Sequence, residues 1–203
     1  MPKKPRSQRR SHSIRHRPAQ NGFRAFDYAR ARGRSLTHAV TAHIGHKADR
    51  TQSVKVARFL RRYRSWLEYK RQKGVLTDDT PDYMLVVEAP GETTHFHWAV
   101  RVPVGLEDEF RHKCRMWADR SFDEIGPSGL MIERIDDTRY KSLAGYMLKG
   151  VDSNFIAHFH LGKYENEQGL VYGRRLWVSR SLCPAARKQA NYDDRSRSFR
   201  SAA

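Results

Sequence analysis

The stretch PDYMLVVEAPGETTHFHWAVRVP (residues 81–103) constrains this chain more than any other. Two runs of apolar and β-branched residues, PDYMLVVEAP and HFHWAVRVP, flank a short loop that carries Pro90 and Gly91, the pattern of a β-hairpin. Side chains alternate between the faces of a strand, so Phe96, Trp98 and Val100 share one face, and His95, His97, Ala99 and Arg101 share the other. Setting Glu88 opposite His95 places Val87 against Phe96, Leu85 against Trp98 and Tyr83 against Val100, which makes one face wholly apolar. A slip of one residue would turn Glu88 toward that apolar side, where an unpaired carboxylate is strongly disfavoured. The same register brings Glu88 beside His95 and diagonal to His97.

Two imidazoles and one carboxylate on adjacent strands can hold a divalent cation and leave positions open for substrate oxygens; Mg²⁺ or Mn²⁺ suits phosphate chemistry. A His-x-His pair alone is a weak signal, since two half-exposed histidines on a strand need no ligand. A later helix adds weight. TRYKSLAGYMLKG (residues 138–150) has a helical pattern that stops at Gly150. Steps of about 100° per residue put Ala144, Met147, Leu148 and Val151 on one stripe for burial, with Tyr146 and Lys149 together on the opposite side. Tyr140 falls off that polar side. A surface tyrosine beside a lysine is the plain reading. The chemical reading is a nucleophile: a phenol ionises at about pH 10 in water, a neighbouring cation favours the phenolate, and Lys149 can supply that charge or hold a phosphate.

Charge narrows the partner. The chain has 203 residues with Lys+Arg 39 against Asp+Glu 22, a formal net charge of +17. Such a basic domain binds polyanions, nucleic acid first among them, through release of counterions from phosphates. A membrane surface is the second choice, but no apolar run approaches the roughly 18 residues of a spanning helix. The basic N-terminus is followed by no apolar stretch, so it does not read as a secretory signal. Cys114 and Cys183 lie far apart without metal-ligand spacing and read as reduced thiols of a cytoplasmic protein, Cys114 in the core.

Residues 1–34 are rich in Arg and lack hydrophobic periodicity; they read as a disordered basic arm in which FRAFDYARARG can form a short helix. SLTHAVTAHIG (35–45) is a first strand. RTQSVKVARFLRRYRSWLEYKRQKG (50–74) is a helix with Val56, Phe59, Leu60, Tyr63 and Leu67 at helical spacing. Its basic face suits either nucleic acid or solvent. After the hairpin come a helix at 106–122, a third or edge strand at 129–136, the tyrosine helix and a closing strand within GRRLWVSRSL (173–182). The fold class is α+β: an antiparallel sheet of about five strands with flanking helices over residues 35–183, followed by a loose polar tail at 184–203. Arg101, Arg174, Arg175 and Arg180, with Trp177 among them, are candidates for DNA binding. A second HFH, His158–His160, lacks an acid in register and reads as local helix or loop; Asp152 is a minor candidate for the surroundings of the metal.

The order Glu88, His95-Phe96-His97, Tyr146-x-x-Lys149 resembles the HUH endonuclease superfamily, and within it the rolling-circle replication initiators, whose third motif is Tyr-x-x-Lys on a helix. The resemblance covers residues 35 to 182 in its order of elements and implies the RRM-like fold of that superfamily. It implies that Glu88, His95 and His97 bind Mg²⁺ or Mn²⁺, and that Tyr146 attacks a phosphodiester of single-stranded or hairpin DNA. The tyrosine then carries the 5′-phosphate and a 3′-OH is freed, with Lys149 as its electrostatic partner. The family's opening-strand motif is not evident in LTHAVTAHIG. No Gly-rich phosphate loop follows, so unwinding and synthesis are expected from a host helicase and polymerase. The setting implied is rolling-circle replication of a plasmid or phage. A transposase or mobilisation relaxase uses the same chemistry. A non-enzymatic nucleic-acid-binding protein and a metal hydrolase using activated water are the other classes.

Overall fold

The computed structural model describes residues 9–45, 50–123, 125–126, 128–164 and 167–199. In chain order these form β1 (Arg10–Ser11), α1 (His16–Ala31), β2 (His38–Gly45), α2 (Gln52–Gln72), β3 (Tyr83–Glu88), β4 (Thr94–Val100), α3 (Glu107–Asp119), β5 (Leu130–Arg134) and α4 (Asp137–Met147). There follow β6 (Val171–Tyr172), β7 (Leu176–Val178), α5 (Pro184–Gln189), β8 (Tyr192–Asp193) and β9 (Ser198–Phe199). The α+β class holds: the main sheet has five strands in the order β5-β2-β4-β3-β7, every pair antiparallel. β5 is an edge strand. Two small ribbons, β1 with β6 and β8 with β9, lie outside the sheet.

The hairpin adopts the register its apolar pattern demands. Glu88 faces His95, Val87 faces Phe96, Leu85 faces Trp98 and Tyr83 faces Val100. The turn between them is a single helical turn at Pro90–Glu92, in which Gly91 sits at φ 54°, a left-handed conformation that glycine adopts without steric cost. On the apolar face, Leu85, Val87, Phe96, Trp98 and Val100 pack under α2 and α3, with Phe59 edge-on to Trp98 at 5.1 Å between centroids. Helical spacing in α2 buries Val56, Phe59, Leu60, Tyr63 and Leu67 together, and Cys114 of α3 joins the same core.

The other face is covered as well. Met84, Val86 and Ala99 pack beneath α1 and α4, against Phe26, Leu143, Met147 and Leu148. This layer corrects the expectation of a disordered arm over residues 1–34. Residues 16–31 form a regular helix that buries Ala19, Gly22, Ala25, Phe26, Tyr28 and Ala29. Small residues allow the close approach: a Cβ on Gly22 would meet Leu148 at 3.0 Å. Before the helix, Ile14 bridges to Val151, and Arg10–Ser11 pair with Val171–Tyr172. Residues 1–8 of the arm lie outside the described residues. The tail from residue 184 to 199 is likewise folded. Arg187 is buried and donates to Leu182 O at 2.6 Å and Asn21 Oδ1 at 2.9 Å, while its Nε pairs with Asp194 at 2.7 Å, which ties the tail to α1.

Charges also lock the far end of β3. Asp82 is fully buried and is held by both Arg32 and Arg34, and Arg34 also pairs with Asp78. Replacing Phe26 by Ala should therefore cost about 3–5 kcal/mol of unfolding free energy, the usual cost of emptying a buried phenylalanine site. Chemical denaturation checks this; a change within about 0.5 kcal/mol, as expected of surface positions, would show that α1 does not contribute to the core.

Candidate metal centre

The end of β3 and the start of β4 present Glu88, His95 and His97 on the α1–α4 side of the sheet, because one face of each strand is committed to the apolar core. Their ligating atoms all lie within 4.8 Å of one another. His95 Nε2 is 3.1 Å from Glu88 Oε2, and His97 Nε2 is 3.4 Å from the same oxygen but out of line for a hydrogen bond. Among the described residues this is the one cluster of His, Cys, Asp or Glu with metal-ligand spacing.

Glu88 is 0 % exposed. Burial alone would raise its pKa, but contact with His95 and His97 and the nearby charge of Lys149 outweigh burial and hold the carboxyl well below the usual carboxylate range. Burial pushes the His97 pKa down against the pull of Glu88, and Lys149 and His95 add to the lowering. A neutral imidazole is the form that ligates metals. Thr41, opposite His97 on β2, places Oγ1 3.1 Å from His97 Nδ1 and can accept its proton in the tautomer that leaves Nε2 free. Glu88 Oε1 and His97 Nε2 are both buried without hydrogen-bond partners among the described residues. A carboxylate oxygen and an imidazole lone pair so placed suit a divalent cation, so the donor set fits a metal site.

The back of the carboxylate is built by residues the sequence reading assigned elsewhere. Gly169 bridges to Ala89 at φ +62°, and a Cβ there would lie 1.8 Å from Ala89 O, so only glycine fits. Arg175, a candidate for DNA binding by sequence, is instead buried. Its guanidinium donates to the carbonyls of Ser11 at 2.8 Å, Gly169 at 2.6 Å and Gln168 at 3.1 Å, with Val87 O at 3.4 Å. Burial lowers its pKa to about 10, against the attraction of Glu88. The group pins the N-terminal segment and the 167–171 loop around the end of β3 and is not available to DNA.

α4 closes the front. Its N-terminus is capped by Asp136, which accepts from Arg139 N–H at 2.7 Å. Ala144, Met147, Leu148 and Val151 are buried as their spacing predicts, and Tyr140 is buried with its hydroxyl on Phe26 O. Tyr146 is 38 % exposed and meets His97 edge-on, with ring centroids 5.1 Å apart. Lys149 Nζ lies 3.0 Å from Glu88 Oε2 and 4.0 Å from the centre of the Tyr146 ring. A cavity of about 250 Å³ opens beside them, lined by Thr41, Glu133, Arg139, His97, Tyr146 and Tyr164. The structure thus brings together all five of Glu88, His95, His97, Tyr146 and Lys149.

The remaining candidates lie apart from this cluster. Arg174 stands over the Trp177 ring at 4.6 Å on the α2 side of the sheet. Arg101 is half-buried just past the far end of β4, four residues beyond His97, or roughly 13 Å along a strand. Arg180 is exposed beyond β7, near the same end. Asp152 caps the turn at Ser153–Phe155 and accepts from Asn154 N–H at 3.1 Å. His158 packs on His16 and Phe159 in a run of turns, as local structure rather than a second metal pair. The sequence reading missed Thr41, because nothing in the chain alone says that β2 pairs with β4; it missed Gly169 and the structural use of Arg175 for the same reason.

No protein-family model matches the chain, and no curated protein sequence matches it. Among the described residues no helix is long and apolar enough to cross a membrane.

Titration calorimetry with Mn²⁺ tests the centre directly. One ion should bind the full chain, His97→Ala should abolish binding, and Thr41→Val should weaken it by about 10- to 100-fold, as loss of a group that orients a ligand does. Unchanged affinity in His97→Ala would remove the site.

Proposed function

We propose that this protein is a metal-dependent enzyme that nicks and rejoins single-stranded DNA through a covalent phosphotyrosine, in the manner of HUH endonucleases. One observation carries the reading: the Tyr146 ring packs edge-on against a histidine of the metal cluster while Lys149 stands between that ring and Glu88. This brings the tyrosine beside the candidate metal cluster from a separate element, with a cation over its ring, which supports a role for that charge in favouring the phenolate. The +17 charge supplies the attraction for a polyanion.

In the reaction, the Tyr146 oxygen attacks the phosphorus as its proton passes to solvent, to which Tyr146 is 38 % exposed. The new bond joins tyrosine to the 5′-phosphate, and the bond from phosphorus to the 3′ oxygen breaks. That oxygen leaves as a 3′-OH after taking up a proton. Glu88, His95 and His97 would hold one divalent cation, Mg²⁺ or Mn²⁺, which would supply polarisation of the phosphate's non-bridging oxygens. Lys149 holds negative charge on the phenol or the phosphate, and Thr41 keeps His97 oriented. Phosphodiester is exchanged for phosphodiester, so the step runs backwards when a 3′-OH returns, and nicking and joining are one chemistry. Initiation of rolling-circle replication of a plasmid or phage, with a host helicase and polymerase as partners, is the setting that this chemistry and the Tyr-x-x-Lys spacing favour.

Incubation with end-labelled single-stranded DNA and Mn²⁺ should give a protein–DNA adduct that survives a denaturing gel. Tyr146→Phe and EDTA should each eliminate it, and Lys149→Ala should slow its formation by about 10²-fold, the scale of losing one charge-stabilising group. Retarded DNA in native gels without any adduct would leave a binding protein. Cleavage that persists in Tyr146→Phe would mean that water, not tyrosine, attacks.

A further inference from the structure

The metal centre uses few of the chain's arginines, and a group of the others gathers on the opposite side of the sheet. α2 packs Val56, Phe59 and Tyr63 onto the apolar face of the hairpin, so its outer surface points away from Glu88, His95 and His97. Along that surface Arg58, Arg61, Arg62, Ser65 and Tyr69 follow at helical spacing, with Arg58 and Arg61 exposed. Lys55, Lys70 and Arg71, which flank the stripe, pair with Asp123, Glu109 and Asp79. Arg58, Arg61 and Arg62 have no carboxylate partner among the described residues.

Two adjoining clefts share Arg58 and Arg61. One, of about 420 Å³, runs between α2 and β7 to Arg174 and Trp177. The other, of about 510 Å³, runs between α2 and α3 to Lys113 and Trp117. Among the described residues the one carboxylate lining either is Glu109, already held by Lys70 at 2.6 Å and Trp66 Nε1 at 2.8 Å. The lining of the two clefts is therefore net positive.

Its chemistry favours phosphates over bases. A single strand would need bare ring faces on which to stack. Here the Arg174 guanidinium covers Trp177 at 4.6 Å, Lys73 Nζ stands 5.8 Å over Tyr69, and Trp66 and Trp117 are buried. From Arg58 to Tyr69 the helix rises roughly 16 Å as a straight, rigid rod, a shape matched to the regular backbone of a duplex, which carries one charge per about 1.7 Å of its axis. We infer that this face is a second DNA-binding surface, which takes double-stranded DNA by its phosphate backbone without reading sequence. If the proposed nicking activity holds, it grips duplex flanking the single-stranded segment delivered to Tyr146; the duplex binding itself does not depend on that activity.

Fluorescence anisotropy with a labelled duplex of about 30 base pairs, over a series of salt concentrations and in EDTA, tests this with the full chain and no cleavage. The triple variant Arg58→Gln, Arg61→Gln, Lys113→Gln is compared with Arg17→Gln, Arg30→Gln, Arg195→Gln, three exposed arginines of α1 and the C-terminal segment. The α2 triple should flatten the slope of log affinity against log salt by about 2.7, three phosphate contacts at about 0.9 each, and weaken binding by at least about 10-fold at moderate salt. The control triple should change both by less than a third as much. If the α2 triple loses its thermal transition, Arg61→Gln alone carries the test with an expected slope change of about 0.9. Equal losses in both triples, an unchanged slope, a loss confined to single strands, or a loss confined to phosphatidylserine vesicles would each overturn the inference.

Discussion

A carboxylate with no exposed surface has to be compensated, and Glu88 draws its compensation from three directions. His95 and His97 approach Oε2 from β4, and the Lys149 ammonium approaches it from beyond α4. The attraction is strong because Glu88 is buried. It also does structural work, since it fixes the C-terminal end of α4 against the sheet. Tyr146, in the last turn of α4, is joined to Lys149 by the turn that closes the helix, so its position over His97 follows from the same tether. The register of the hairpin and the placement of the tyrosine are thus one constraint. If the register slipped, Glu88 would leave the face on which Lys149 and both imidazoles meet.

Arginine is used in two ways. Arg32 and Arg34 neutralise the buried Asp82, Arg175 gathers four carbonyls behind Glu88, and Arg187 clamps the tail to α1. A guanidinium with five donors can satisfy several backbone acceptors at once, which a lysine cannot match. Part of the net charge is therefore internal. What remains outside, notably on α2, is separated from the candidate metal centre by the sheet and its apolar core, so the two faces are distinct surfaces.

The hairpin register was legible because the alternation of His95, Phe96, His97 and Trp98 and the single acid at Glu88 leave one pairing that keeps Glu88 out of the apolar core. The face of α4 was legible because Ala144, Met147, Leu148 and Val151 have a clear helical period. α1 was not legible as a core helix: its buried positions are mostly Ala and Gly, which add little hydropathy to an Arg-rich segment. Their role appears only against Leu148 and the sheet, through close approach rather than bulk. Arg175 and Arg180 are of one residue type in one short stretch, yet one is buried among carbonyls and the other exposed. Sequence cannot separate them, since the acceptors of Arg175 come from Ser11, Val87, Gln168 and Gly169, distant along the chain or set by a loop. Thr41 was hidden by the same dependence on strand order.

Lys149 connects the two halves of the proposed chemistry. Its ammonium is shared between Glu88 Oε2 and the face of Tyr146. Further positive charge accepted by Glu88 weakens the hold of that carboxylate on the ammonium. The nearest alternative partners are then the phenol and whatever anion lies against it. In the proposed chemistry, cation binding at the hairpin and stabilisation of negative charge at the tyrosine would be coupled through this one side chain. An arginine could not substitute freely: its planar fork would need in-plane acceptors, whereas an ammonium on a flexible stem can pass between a carboxylate and a ring over a short distance. Lys149 lies just past the end of α4, where the closing turn, with its backbone nitrogen 3.3 Å from Tyr146 O, folds its side chain back beside the Tyr146 ring.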